Sequence, residues 1–170
     1  MKFYSSFLIL IVLLASSFLP KTQIEINKAN INFVFISKNV EGSIADFKTS
    51  SKINLQQLEK STFEGSVSLE SLKTGNFLRD WHLMSKKYFH RKKFPRIYFK
   101  STAIVKKENN YQVTGNLTIK GISKEVSLTM KKLPNALQLT GVINTTDWDI
   151  NIMKKKNENL VRCKIQLFLP

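Results

Sequence analysis

Beyond Thr22 the chain alternates apolar and polar residues with a period of two, the pattern of strands that bury one face. The plainest case is Tyr111-Gln-Val113-Thr-Gly115-Asn-Leu117-Thr-Ile119, apolar or glycine at odd positions and polar at even ones. Past a turn over Gly121 to Lys124, Val126, Leu128 and Met130 alternate with Glu125, Ser127 and Thr129, so the two runs predict a hairpin. Further strands are predicted over 22–27, 31–37, 40–48, 62–71, 96–106, 136–145 and 160–169. Between them lie turn segments such as Glu108-Asn109-Asn110 and Leu133-Pro134-Asn135, and a Lys/Asn-rich loop over 147–159. Eight or nine strands without repeat or linker imply one all-β domain, either a closed antiparallel barrel or a sandwich. Closure would leave no exposed edge.

Helical spacing is confined to two stretches. One short turn is predicted over 54–58. A longer one over 76–85 has Asn76 as N-cap and Phe77, Trp81 and Met84 along one face, placed to cover one barrel end. In the strands, alternation turns a defined set inward: Phe63, Val67 and Leu69, then Ile97 and Phe99, then Val113, Leu117 and Ile119, then Val126, Leu128 and Met130, and last Ile165 and Leu167. Alternation alone does not distinguish a filled core from a hollow one.

The first 20 residues follow another pattern. Lys2 precedes an apolar run over 7–14 and the small residues Ala15-Ser16-Ser17, which is the layout of a secretory signal peptide over 1–17, with 18–170 as the mature domain. The run is shorter than the roughly 20 residues that span a bilayer, although an uncleaved anchor is the alternative. Periplasmic or extracellular placement follows. The single cysteine, Cys163, makes no internal disulfide and alternates inward between Val161 and Ile165 as a buried thiol. With 27 Lys and Arg against 12 Asp and Glu, the net charge is +15. Such a field favours anionic partners, and export makes nucleic acid the least suitable of them. A basic surface without a specific partner is equally open.

The segment that interrupts the strands reads Ser71-Leu-Lys-Thr74-Gly-Asn76-Phe-Leu-Arg79-Asp80-Trp-His82-Leu83-Met-Ser85-Lys-Lys-Tyr-Phe89, then Lys93-Phe94-Pro95-Arg-Ile97-Tyr-Phe99-Lys100-Ser101. These residues closely resemble the YceI-like family of polyisoprenoid-binding, lipocalin-like bacterial envelope proteins, whose pattern runs S-I-x-T, R-D-x-H-L, a phenylalanine pair and Y-P-x-I-x-F-x-S. Val113-Thr-Gly115-Asn-Leu117-Thr118-Ile119-Lys120-Gly121 with Lys124-Glu-Val126 resembles its second signature, and Gly42 and Asp46-Phe47 match more weakly. Phe94 stands where the family usually has Tyr, His90 departs from the phenylalanine pair, and the stretch over 144–150 matches least.

The resemblance implies an extended antiparallel eight-stranded lipocalin-like barrel, with a short helical segment covering one end and an apolar interior that holds an isoprenoid chain. It makes the inward set ligand-lining and makes Arg79, Asp80, His82 and Leu83 a barrel-mouth motif. It implies no catalytic centre and no cofactor beyond a bound isoprenoid lipid.

Arg79, Asp80 and His82 are nevertheless the residues to weigh for chemistry. Helical residues two apart do not face each other, so Asp80 and His82 make no local dyad, whereas Arg79 and His82 are neighbours. A structural ion pair or cap, headgroup contact and acid–base catalysis are the three accounts. His82 and His90 lack zinc spacing, so no metal is expected. The basic run Lys86, Lys87, Arg91, Lys92, Lys93, Arg96 and Lys100 suits peripheral contact with an anionic membrane surface. The expected partner is a long-chain apolar lipid, and a homodimer is compatible. The expectation is an exported lipid carrier or buffer, and the alternative is an envelope enzyme acting on such a lipid at the mouth.

Overall fold

The structure is a computed structural model and describes residues 23–170. The leader expected over 1–17 and the mature start at Phe18 lie outside the described residues. The strands are β1 (Gln23–Ile24), β2 (Ala29–Phe35), β3 (Val40–Ile44), β4 (Lys48–Thr49), β5 (Ile53–Asn54), β6 (Glu64–Ser68), β7 (Arg96–Lys106), β8 (Tyr111–Ile119), β9 (Ile122–Leu133), β10 (Ala136–Asn144) and β11 (Leu160–Phe168). One α-helix, α1 (Phe77–Leu83), interrupts them as expected, with the Asn76 side chain accepting from the Arg79 backbone N–H at 3.0 Å. The turn expected over 54–58 is instead the end of β5 followed by a 3-10 turn over Leu58–Lys60.

Nine strands make one antiparallel sheet in the order β3-β2-β11-β10-β9-β8-β7-β6-β4, while β1 and β5 form a separate two-stranded ladder. The large sheet curls into a half-barrel and is not the closed eight-stranded barrel expected. The run over 40–48, expected as one strand, breaks at Asp46, whose φ of 50° lies in the left-handed region. β3 before the break pairs with β2, and β4 after it pairs with β6. The two edges of the sheet are thus joined by the chain itself, through residues 45–47, instead of by a ladder.

Side chains hold this seam. Arg96 donates to the Asp46 carbonyl at 2.5 Å, to the Asp46 carboxylate, and to Ser66 Oγ at 2.9 Å. The hydrogen bond from Arg96 holds the Asp46 carboxyl below the usual carboxylate range. Ser71 Oγ accepts from the Ala45 N–H at 2.7 Å, and Ser43 and Lys73 exchange both backbone hydrogen bonds at 2.9 Å, which covers part of the free edge of β3.

Two local devices set the inward face. Ile119 pairs with Ile122 across Lys120-Gly121, tighter than the turn expected, and both turn residues have positive φ (53° and 78°), as a type I′ hairpin requires. In β7 the register shifts between Ser101 and Ala103, so the inward residues change parity from Ile97 and Phe99 to Ile104. A Cβ on Gly115 would lie 2.6 Å from both the Phe99 ring and the Lys100 carbonyl, so glycine is what lets that ring lie across β8.

The concave side is filled at one end only. There Ile26, Ile53 and Leu58, brought in by β1, β5 and the turn after them, pack with Ile104, Val113, Met130 and Leu137, all buried. Towards α1 two smaller clusters, one around Val67 and Leu72 and one around Ile119 and Trp148, line the concave side but leave space between them.

Candidate functional site

The unfilled end is a cavity of about 670 Å³, within the roughly 300–1,000 Å³ usual for ligand pockets. Of the expected lining residues, Phe63 and Val67 border it from the β6 side, Ile97 and Phe99 from β7, Leu117 and Ile119 from β8, Val126 and Leu128 from β9, and Ile165 and Leu167 from β11. Three expected residues do not. Val113 and Met130 point inward but stand at the filled end, sealed by the inserted Ile53 and Leu58. Leu69 leaves the alternation because a 3-10 turn over Leu69–Ser71 follows β6, and it packs against Ile44, Val67 and Leu72.

Several bordering residues were not in the expected set. Ile31, Phe33 and Phe35 bring β2 to the wall, and their alternation was readable in the sequence. Cys163, expected inward, is half-buried on the wall beside Gly141, whose carbonyl its Sγ approaches at 3.5 Å, and burial pushes its thiol pKa up. Trp148 and Ile150 come from the segment read only as a polar loop. That loop is ordered from inside: the fully buried Asn159 side chain accepts from the Ile152 and Met153 N–H groups at 2.8 Å and donates to the Met153 and Lys155 carbonyls. Trp148 Nε1 then donates to the Leu117 carbonyl at 3.1 Å, docking the loop on β8. No periodicity signals such a contact.

Of the expected mouth motif, Arg79, His82 and Leu83 border the cavity and Asp80 does not. Asp80 is turned onto Thr74, accepting from its N–H at 2.9 Å and its hydroxyl at 2.5 Å. Arg79 closes the same clamp from its other side, donating to Thr74 Oγ1 at 2.6 Å and to the Thr74 carbonyl at 2.5 Å. His82 meets Tyr88 edge to face, 5.2 Å between ring centroids. Asp80 and His82 therefore serve different partners, as their spacing predicted. Charged groups on the lining are few: Lys38 and Arg79 at this end, and Glu64, paired with Lys100 at 3.1 Å. Apart from His82 the rest of the lining is apolar or carries no ionisable charge near neutral pH, and no three potential metal ligands gather among the described residues.

Residues 22–169 match the YceI-like domain. The chain belongs to the YceI-like family. Among curated relatives, UPF0312 proteins of Photorhabdus laumondii and Yersinia enterocolitica are 37% and 34% identical over 87 and 90 residues, 51% and 53% of this chain. Those matches cover 45% and 47% of the relatives, so this YceI-like chain spans about half the length of the curated relatives it matches. The fold recurs in BcnA of Burkholderia cenocepacia (TM-score 0.74, 21% identity, 86% of this chain and all of that one). It recurs in the YceI protein of Campylobacter jejuni (0.69, 19%, 99% and 97%). A polyisoprenoid-binding domain from Saccharophagus degradans, implicated in plant cell wall breakdown, shares it more distantly (0.58, 12%, 86% and 95%).

Proposed function

We propose that this YceI-like protein is a non-catalytic carrier or buffer that holds an isoprenoid chain, polyprenyl or quinone-like, in the half-barrel cavity. The observation that carries the reading is the apolar cavity, open at the α1 end, whose lining holds few charged groups and has Lys38 and Arg79 at that end, a shape that suits a long tail with a polar head. The description of the Saccharophagus domain as polyisoprenoid-binding supports it. The ten expected residues on the wall are the tail contacts, and Arg79 and Lys38 face the head. The volume limits how much tail is enclosed, so a longer chain leaves part of its length at the mouth.

Energetics favour exchange over capture. Each buried methylene is worth about 0.8 kcal/mol against water, but the natural alternative to the cavity is a bilayer, whose tails are as apolar as leucine. Transfer between the two is close to neutral, as a carrier requires. The leader expected over 1–17 would send the protein to the periplasm or beyond, and its basic surface would hold it near anionic membranes.

The native thiol provides the test. Cys163 lies on the cavity wall with its pKa raised by burial, so alkylation by iodoacetamide is slow at neutral pH and accelerates only above the ordinary thiol range. Loading solvent-extracted protein with a polyprenol is expected to add one ligand mass in native mass spectrometry and to slow Cys163 alkylation further. An unchanged alkylation rate with no adduct would overturn the reading.

A further inference from the structure

We propose that the solvent face of α1 is a membrane-docking element that seats the cavity mouth on an anionic bilayer. The sequence places Phe77 and Trp81 along one face of a helix at the barrel end, and in the structure they are turned to solvent. Phe77 is 80% exposed, Leu78 73% and Trp81 70%. At positions i, i+1 and i+4 they share one side of the helix, while Arg79, His82 and Leu83 on its other side border the cavity. The remaining large exposed hydrophobics among the described residues, Tyr98, Val105 and Val142, lie on strands β7 and β10. Single exposed apolar residues call for no explanation, but three adjacent ones including a tryptophan do.

The patch is presented rigidly. A seven-residue helix has no stability of its own, so α1 stands because Asn76 caps it and because Arg79 and Asp80 both grip Thr74. Those bonds fix which side faces outward. They also engage the one acidic residue between Leu72 and Phe99, since the half-buried Asp80 is turned onto Thr74.

Charge selects the occupant. On either side of α1 in the chain, Lys73, Lys86 and Lys87 are exposed, followed by Lys92 and Lys93, and the exposed Lys38 lines the cavity. Aromatic and leucine side chains flanked along the chain by exposed lysines match the interface of a bilayer that carries anionic headgroups, where tryptophan partitions at headgroup depth. Docked this way, the mouth opens onto the lipid and a tail moves between bilayer and cavity without crossing water. What is delivered rests on the lipid-binding reading; the docking itself does not.

Trp81 reports the event directly, because the other tryptophan, Trp148, is buried. With vesicles of phosphatidylcholine containing phosphatidylglycerol, full-length mature protein is expected to co-sediment. Trp81 emission should shift to the blue and be quenched by brominated lipid tails. The triple variant Phe77→Ser, Leu78→Ser, Trp81→Ser should lose about tenfold or more in vesicle affinity while keeping its circular dichroism and any polyprenol occupancy. Lys86→Gln with Lys87→Gln should weaken binding and make what remains less sensitive to salt. Equal sedimentation of the triple variant would overturn the proposal. So would a blue shift that depends on protein concentration without vesicles, which would assign the face to a second copy of the chain. Vesicle binding without polyprenol uptake would sink the lipid-binding reading alone, and uptake without vesicle binding would sink the docking alone.

Discussion

The two ends of the half-barrel are made from the same strands with the same alternation, yet one is solid and the other hollow. β8 sends Val113 to the solid end and Leu117 and Ile119 to the hollow one, β9 sends Met130 and Val126, and β10 sends Leu137 and Ile143. Side-chain size does not separate them. The difference comes from off the sheet, where Ile26, Ile53 and Leu58 drop into the solid end and join its large cluster, while Trp148 and Ile150 pack on Ile119 at the other end without filling it. Trp148, Ile150 and Leu83 lean on the hollow end from its rim and leave its middle open. Period-two patterning states which way a side chain points and nothing about what meets it.

The largest test of this contrast deletes volume at matched positions. Leu137→Ala, fully buried at the solid end, is expected to cost about 2–5 kcal/mol in urea unfolding. Leu117→Ala on the cavity wall, already facing empty space, is expected to cost less than about 2 kcal/mol. Equal losses would mean that the hollow end is as packed as the other. Adding volume sharpens the same point in reverse. Val113→Phe overfills the solid end, at a cost of about 1–3 kcal/mol. Val126→Phe extends into the cavity, should leave the unfolding midpoint nearly unchanged, and should reduce polyprenol binding in native mass spectrometry.

The smallest effect concerns the seam. The Asp46 carboxyl has its pKa lowered by Arg96, so the clamp contributes stability above the ordinary Asp value of about 3.9 and loses it as pH falls through the lowered one. Arg96→Gln is therefore expected to destabilise at neutral pH, with part of the difference from the parent vanishing in acid as the parent loses its own share. A pH-independent difference would assign the role of Arg96 to its bonds with Ser66 and the Asp46 carbonyl alone.

Much of this was readable in the sequence. The long strands, the Asn76 cap and the inward residues of β7, β8, β9 and β11 follow from alternation and capping chemistry, because those residues obey local rules. What failed depends on side-chain hydrogen bonds, near or distant in the chain, that periodicity does not encode. The break at Asp46 is stabilised by Arg96, 50 residues away, and nothing around Ala45-Asp46-Phe47 announces it. Spacing put Phe77 and Trp81 on one face of α1 but did not say which way that face turns; the Thr74 clamp turns Arg79 and His82 to the cavity and leaves Phe77 and Trp81 to solvent. Trp148 was lost in a polar loop because a single buried asparagine, Asn159, organises it. Val113 and Met130 were assigned the right direction and the wrong surroundings.

The seam at residues 45–47 also fixes the mechanics of the container. In a fully laddered barrel, radius, strand tilt and stagger are locked together, so girth changes only by shearing every strand. Here the circumference passes through three residues of backbone held mainly by side chains. A thicker guest can be admitted by flexing one joint while the β2–β11 and β6–β7 ladders keep their register, which makes bore diameter an elastic property of the seam and not a constant of the fold.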